Sequence, residues 1–154
     1  MEKIGINPSG LAKPVGYSHG FEVKGGWLLF LSGQVPFDKQ GSIVGRGDIV
    51  AQFRQVCENL KTLVEDRGGT LQDIVKLTIF VLNRDDYKAR GKAIGQVYRD
   101  YFGRHYPAMS LVEVKGLYHE GEGAMIEIDG IAALPYDWPD FLLRRSYREL
   151  GSGC

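Results

Sequence analysis

The sequence predicts an α+β domain, a mixed sheet with two helices packed on one of its faces. Three observations carry this reading. Two long segments repeat apolar residues at helical spacing, several shorter ones are β-rich or alternate apolar with polar residues, and the elements follow the order β-β-(β)-α-β-α-β-β. No repeat or linker divides the chain, and 154 residues fit one domain.

Residues 7–20 hold Asn7-Pro8-Ser9-Gly10 and Lys13-Pro14-Val15-Gly16, turn formers too dense for a helix or a central strand. This arm delivers Tyr17-Ser18-His19 to a strand pair with a hairpin-type turn at Lys24-Gly25-Gly26. Trp27 to Gly33 is nearly all apolar, as in a strand covered on both faces. A turn at Asp38-Lys39-Gln40-Gly41 leads to a short edge strand, Ser42-Ile43-Val44. Asp48 is a good N-cap, and Ile49, Phe53, Val56, Leu60 and Leu63 recur at helical spacing, with Cys57 on the same stripe. That helix should stop at Arg67-Gly68-Gly69.

Ile74 to Leu82 reads as a central strand whose Lys76 and Thr78 mark a less buried face. Asp85 or Asp86 should cap a second helix with the stripe Tyr87, Ile94, Val97, Tyr98, Tyr101 and Phe102, ending at Gly103. Gly91 and Gly95 would let it lie close to the sheet. Tyr106 to Leu134 reads as two strands joined by a glycine-rich turn, with Glu127 and Asp129 on one face of the second. The domain spans 1–134, and 135–154 is a C-terminal extension, with a short helix over 141–150 and a frayed end.

Lys+Arg and Asp+Glu both number 19, a balance that argues against a nucleic-acid partner. Two cysteines, one on a helical stripe and one at the last position, do not form a secreted disulfide framework. With no signal peptide and no apolar run near the ~20 residues of a membrane helix, the expectation is a soluble, cytoplasmic protein. His19, His105 and His119 lack metal-ligand spacing with Cys57 or Cys154, so no metal is expected. Gly121-Glu122-Gly123 lacks a phosphate-loop pattern, and no cofactor is expected. A sheet covered on one face by its own helices leaves a partly apolar second face, which predicts self-association.

Gly16-Tyr17-Ser18, Leu31-Ser32-Gly33-Gln34-Val35-Pro36, Glu58-Asn59-Leu60, Gly68 to Lys76 and Ile126 to Ala132 together resemble the signatures, in order, of the reactive intermediate deaminase (RidA, YjgF/UK114) family. The resemblance covers roughly residues 5–134. It implies a chorismate-mutase-like fold, a homotrimer with a small-molecule ligand in three inter-subunit clefts, and hydrolysis of imines or enamines.

Residue by residue, it implies catalytic roles for Tyr17, which lines the cleft, and Glu127, which orients the attacking water. Ser32, Gly33, Met109, Ser110 and Leu111 would be ligand-binding. The family's deaminases carry an arginine after Pro-Ala, whose planar fork holds the substrate carboxylate; here that position is Met109. Methionine cannot replace a bidentate, charge-assisted pair worth about 1.5–3 kcal/mol. The resemblance therefore implies an imine or enamine other than the usual 2-imino acids. Two alternatives stay open, a non-catalytic metabolite-binding trimer and the endoribonuclease named for some family members.

Overall fold

A computed structural model describes residues 1–136, and the helix expected over 141–150 with its frayed end lies outside the described residues. The strands are β1 (Glu2–Ile6), β2 (Gly20–Lys24), β3 (Trp27–Gln34), β4 (Ile74–Val81), β5 (Ala108–Glu113) and β6 (Ile126–Leu134). The helices are α1 (Ile49–Asp66), α2 (Arg84–Ala89) and α3 (Gly91–Phe102). β1 and β2 form an antiparallel ribbon, and the main mixed sheet has the order β3-β6-β4-β5.

Two strand pairings differ from the sequence expectation. The turn at Lys24-Gly25-Gly26 makes no hairpin, because β2 pairs with β1, a strand the sequence reading missed, while β3 pairs with β6. Nor do β5 and β6 pair with each other. β4 lies between them, parallel to β5 and antiparallel to β6. The cause is the crossover through α2 and α3, which returns the chain beside β4 in parallel and leaves β4's other edge for β6. The segment between β5 and β6 carries a 3-10 turn at Glu120–Glu122 instead of a tight loop.

α1 forms as its sequence dictates. The Asp48 carboxylate accepts from the amides of Val50 and Ala51 at 3.0 and 3.1 Å, a cap worth about 1 kcal/mol. At the other end Gly68 takes φ 73, a left-handed conformation that costs glycine little. Phe53, Val56, Cys57, Leu60 and Val64 are buried against Leu77, Val81, Ile126 and Ile128 of the sheet. Each large side chain so buried contributes roughly 1.5–3 kcal/mol. Leu63, expected on this stripe, is exposed, and the fully buried polar Gln52 belongs to it instead.

The second helix is two helices that meet at Arg90, and its cap is Asn83, whose side chain accepts from the Asp86 amide at 2.9 Å, rather than Asp85 or Asp86. The expected edge strand at Ser42–Val44 is a single bridge between Phe37 and Ile43.

Strand parity divides the sheet cleanly. Leu77, Ile79, Val81, Ile126 and Ile128 face the helices; Lys76, Thr78, Phe80, Glu127 and Asp129 face the opposite side. On that open side β3, expected to be covered on both faces, exposes Leu28 and Phe30, the latter 72% accessible.

Candidate functional site

Glu127 and Gly33 meet directly. β3 and β6 slip register between Leu31 and Gln34, so Ser32 and Gly33 fall in an irregularity beside Glu127. A Cβ at Gly33 would lie 1.9 Å from Glu127 Oε1, so only glycine lets the carboxylate rest on the β3 backbone. Together with Gln34, Val35, Phe37, Asn59, Tyr118 and His119 they line a cleft of about 370 Å³.

Side-chain amides of α1 fix the cleft walls. Asn59 of α1 donates to the carbonyls of Val35 and Phe37 at 3.1 and 3.0 Å, and Gln55 donates to Asn59 at 2.9 Å. Gln52, fully buried, donates to the carbonyls of Gly45 and Gly123 and accepts from the Met125 amide at 2.8 Å. Every hydrogen-bonding atom of that amide group is used for positioning, so α1 holds both the loop before it and the segment leading into β6. The 117–124 segment adds internal bonds: Leu117 N–H donates to the Glu120 carboxylate at 3.0 Å, and Glu122 and Ala124 N–H donate to the His119 carbonyl.

Met109 lies elsewhere. It pairs with Leu77 and faces the helices, on the opposite side of the sheet from Glu127. It lines a second cavity of about 460 Å³, between α3, β5 and the arm at Val15-Gly16, whose walls include Tyr87, Tyr98, Tyr106 and Arg99. Gly91 and Gly95 do not bring α3 close to the sheet. A Cβ at Gly91 would meet nothing within 4 Å, and one at Gly95 only Arg99 Nη1 at 3.4 Å, so the two glycines leave the cavity open. Burial raises the pKa of Tyr87 to about 12 and that of Tyr98 further; the Tyr98 hydroxyl donates to the His105 carbonyl at 2.6 Å. Cys57, close by in the core, is pushed by burial to about 12, an inert protonated thiol.

Tyr17 directly follows Val15 and Gly16 of this second cavity's wall. Its ring stands edge-on to His19 with centroids 5.3 Å apart. Next to it the Ser18 hydroxyl donates to the Tyr106 carbonyl at 2.7 Å and the Ser18 amide to the Pro107 carbonyl, which ties the arm to the start of β5. Ser110 sits on the open face and accepts from Lys76 Nζ at 3.1 Å; Leu111 faces the helix side and is 36% exposed. One chain therefore joins Glu127 with Gly33, while Met109 lines the other cavity and Tyr17 stands on the arm whose Val15 and Gly16 border it. The sequence reading missed Phe37, Asn59, Tyr118 and His119 as cleft walls. Asn59 lies within the Glu58-Asn59-Leu60 signature, whereas no signature contains His119. Among the described residues no group of three or more His, Cys, Asp or Glu is placed to hold a metal ion.

The family described as endoribonuclease L-PSP matches residues 9–134. The chain belongs to the RidA/YjgF family. A RutC family protein of Pyrococcus horikoshii is 38% identical over 121 residues, 78% of this chain and 89% of that protein. Among solved structures, the Rid family protein YyfB of Yersinia pestis, itself of unknown function, matches with a TM-score of 0.77 and 34% identity, covering 87% of this chain and all of the other. RidA from an Antarctic Psychrobacter matches with a TM-score of 0.60 and 31% identity over 80% of this chain and 92% of that one. The mixed sheet with its main helices is the RidA/YjgF fold. No helix among the described residues is long and apolar enough to cross a membrane.

Proposed function

We propose that this RidA/YjgF protein works in the cytoplasm as a homotrimer that hydrolyses an imine or enamine in clefts between subunits. The observation that carries this reading is the Glu127 carboxylate seated on the bare backbone of Gly33 inside a fixed cleft. A carboxylate so held can orient a water against a C=N carbon and take its proton as attack proceeds. The apolar open face around Phe30 and Leu28 is the surface on which copies associate. Association in this reading carries the Tyr17 and Met109 region of one copy to the Glu127 cleft of another.

The uncharged Met109 position suits a substrate without a carboxylate next to the C=N bond. Benzaldimine generated from benzylamine by an amine oxidase is such a substrate, and 2-iminobutyrate generated by threonine dehydratase is its carboxylate-bearing contrast. Accelerated ammonia release from benzaldimine, lost in Glu127→Gln and weaker with 2-iminobutyrate, is the expected result. Equal rates with and without the protein would point to the non-catalytic binding trimer, and Glu127-dependent cleavage of single-stranded RNA to the endoribonuclease.

A further inference from the structure

His119 stands in the same cleft as Glu127 and is held more firmly than a surface histidine. Its Nδ1 lies 3.0 Å from Glu122 Oε1. A carboxylate can only accept, so Nδ1 carries the hydrogen and Nε2 of the neutral ring is the basic nitrogen. The ring is further fixed by edge contacts with Phe37 and Tyr118, at centroid distances of 4.8 and 4.9 Å. Its backbone carbonyl accepts from both Glu122 and Ala124, so the segment that presents it is itself immobilised. Its side chain is 29% exposed, accessible to a cleft ligand yet partly removed from water.

We propose that His119 is a second proton-transfer group of the Glu127 cleft, with Glu122 as its positioning residue. The proposal rests on the imine-hydrolase reading. Water adds to the C=N carbon while Glu127 takes one of its protons; the C=N electron pair moves to nitrogen, which takes a proton from the His119 imidazolium. The resulting carbinolamine receives on nitrogen the proton held by Glu127. The C–N bond then breaks, ammonia leaves with the electron pair, and the hydroxyl proton passes to His119 Nε2. Imine and water become carbonyl compound and ammonia, and both side chains return to their starting states.

Charged and aromatic side chains border His119 in the cleft. Glu122 faces Nδ1, Glu127 stands in the same cleft on β6, and the neighbouring Tyr118 ring is edge-on to it. The Glu120 carboxylate is engaged by the Leu117 amide, and the remaining walls offer the non-titrating Phe37 and Asn59.

The test uses the full-length protein. With benzaldimine generated in situ, His119→Gln should lower kcat by about 10²-fold with little change in KM, the usual size of a lost acid–base group. It should also remove the basic limb of the pH profile. Glu122→Gln should lower kcat by a smaller factor with KM unchanged, because the ring loses the carboxylate that orients it through Nδ1. Independently of turnover, benzamidine, a stable planar C=N cation, should shift the His119 Nε2 resonance in ¹⁵N-histidine spectra of wild type but not of Glu127→Gln.

A His119→Gln protein with wild-type kcat and pH profile overturns the proposal. So does a His119 resonance that stays fixed while benzamidine saturates the cleft. A protein that hydrolyses no imine but shows the shift overturns the hydrolase reading, and with it the proton transfer, leaving a ligand contact at His119.

Discussion

The Glu127 cleft and the Met109 cavity lie on opposite sides of one four-stranded sheet and are built by different means. The first is a polar assembly in which side-chain amides of α1 clamp two loops and a carboxylate rests against a glycine. The second is an aromatic-walled hollow along one wall of which two helical positions have no side chain. One region is defined by what is held in place, the other by what has been left out. Substitutions should accordingly damage the first and fill the second.

The largest effect is expected at the first region. Gly33→Ala inserts a methyl where the Glu127 carboxylate sits, so kcat/KM for benzaldimine should fall about 10²-fold or more. The melting temperature should move little, since the carboxylate can swing away from the sheet. An active Gly33→Ala protein would mean that the carboxylate does not need its seat.

The relation between the two regions is tested at Phe30. Phe30→Asp places a charge on the apolar open face. If the proposed trimer forms through this face, sedimentation should show Phe30→Asp shifted to a smaller species than wild type, and activity should fall at least ~10-fold. Full activity in a monomer would place the whole site within one chain.

The cavity side should reveal itself in alkali. Cys57 carries a folded pKa of about 12 against an ordinary 9.0, and Tyr87 about 12 against 10.0, both raised by burial. Below pH 9 neither state has lost the thiol proton, and this stability is fully present. Above it the unfolded chain releases a proton that the folded chain keeps, so stability falls as pH rises towards 12. The slope should be about 1.4 kcal/mol per pH unit for each such group. Chemical denaturation from pH 8.5 upward should show this decline, and Cys57→Ala should flatten it by one proton.

The smallest effect is Gly95→Ala. Replacing a helical glycine should stabilise the protein by about 0.8–1 kcal/mol, because the new Cβ meets Arg99 Nη1 only at ordinary contact distance. A denaturation midpoint that fails to rise would show that the backbone there needs glycine after all.

What the sequence disclosed follows the range of the interactions involved. α1 was legible because its cap, its apolar stripe and its terminal glycine are all local signals. β4 was legible because its alternation directly reflects one covered face and one open one. The pairing of β6 between β3 and β4 was not, since nothing near Glu127 in the chain states which strands will flank it. β1 escaped because a mostly exposed two-stranded ribbon imposes no apolar alternation. For the candidate site, the family signatures located Glu127 and Gly33, but not that one would rest on the other. His119 gave its only local hint in Glu122, three residues on, a spacing that becomes meaningful once the segment folds into its tight turn.

The position of β6 has a consequence for how the molecule comes into being. The last strand of the described chain is an interior strand of the sheet, bonded to β3 on one edge and β4 on the other. During synthesis β3, α1 and β4 must wait with two unfilled edges until β6 leaves the ribosome, a non-local closure of the kind that slows folding. Glu127 arrives on that strand. Maturation of the domain and arming of its cleft are therefore a single event, and a nascent chain stalled before residue 126 carries neither.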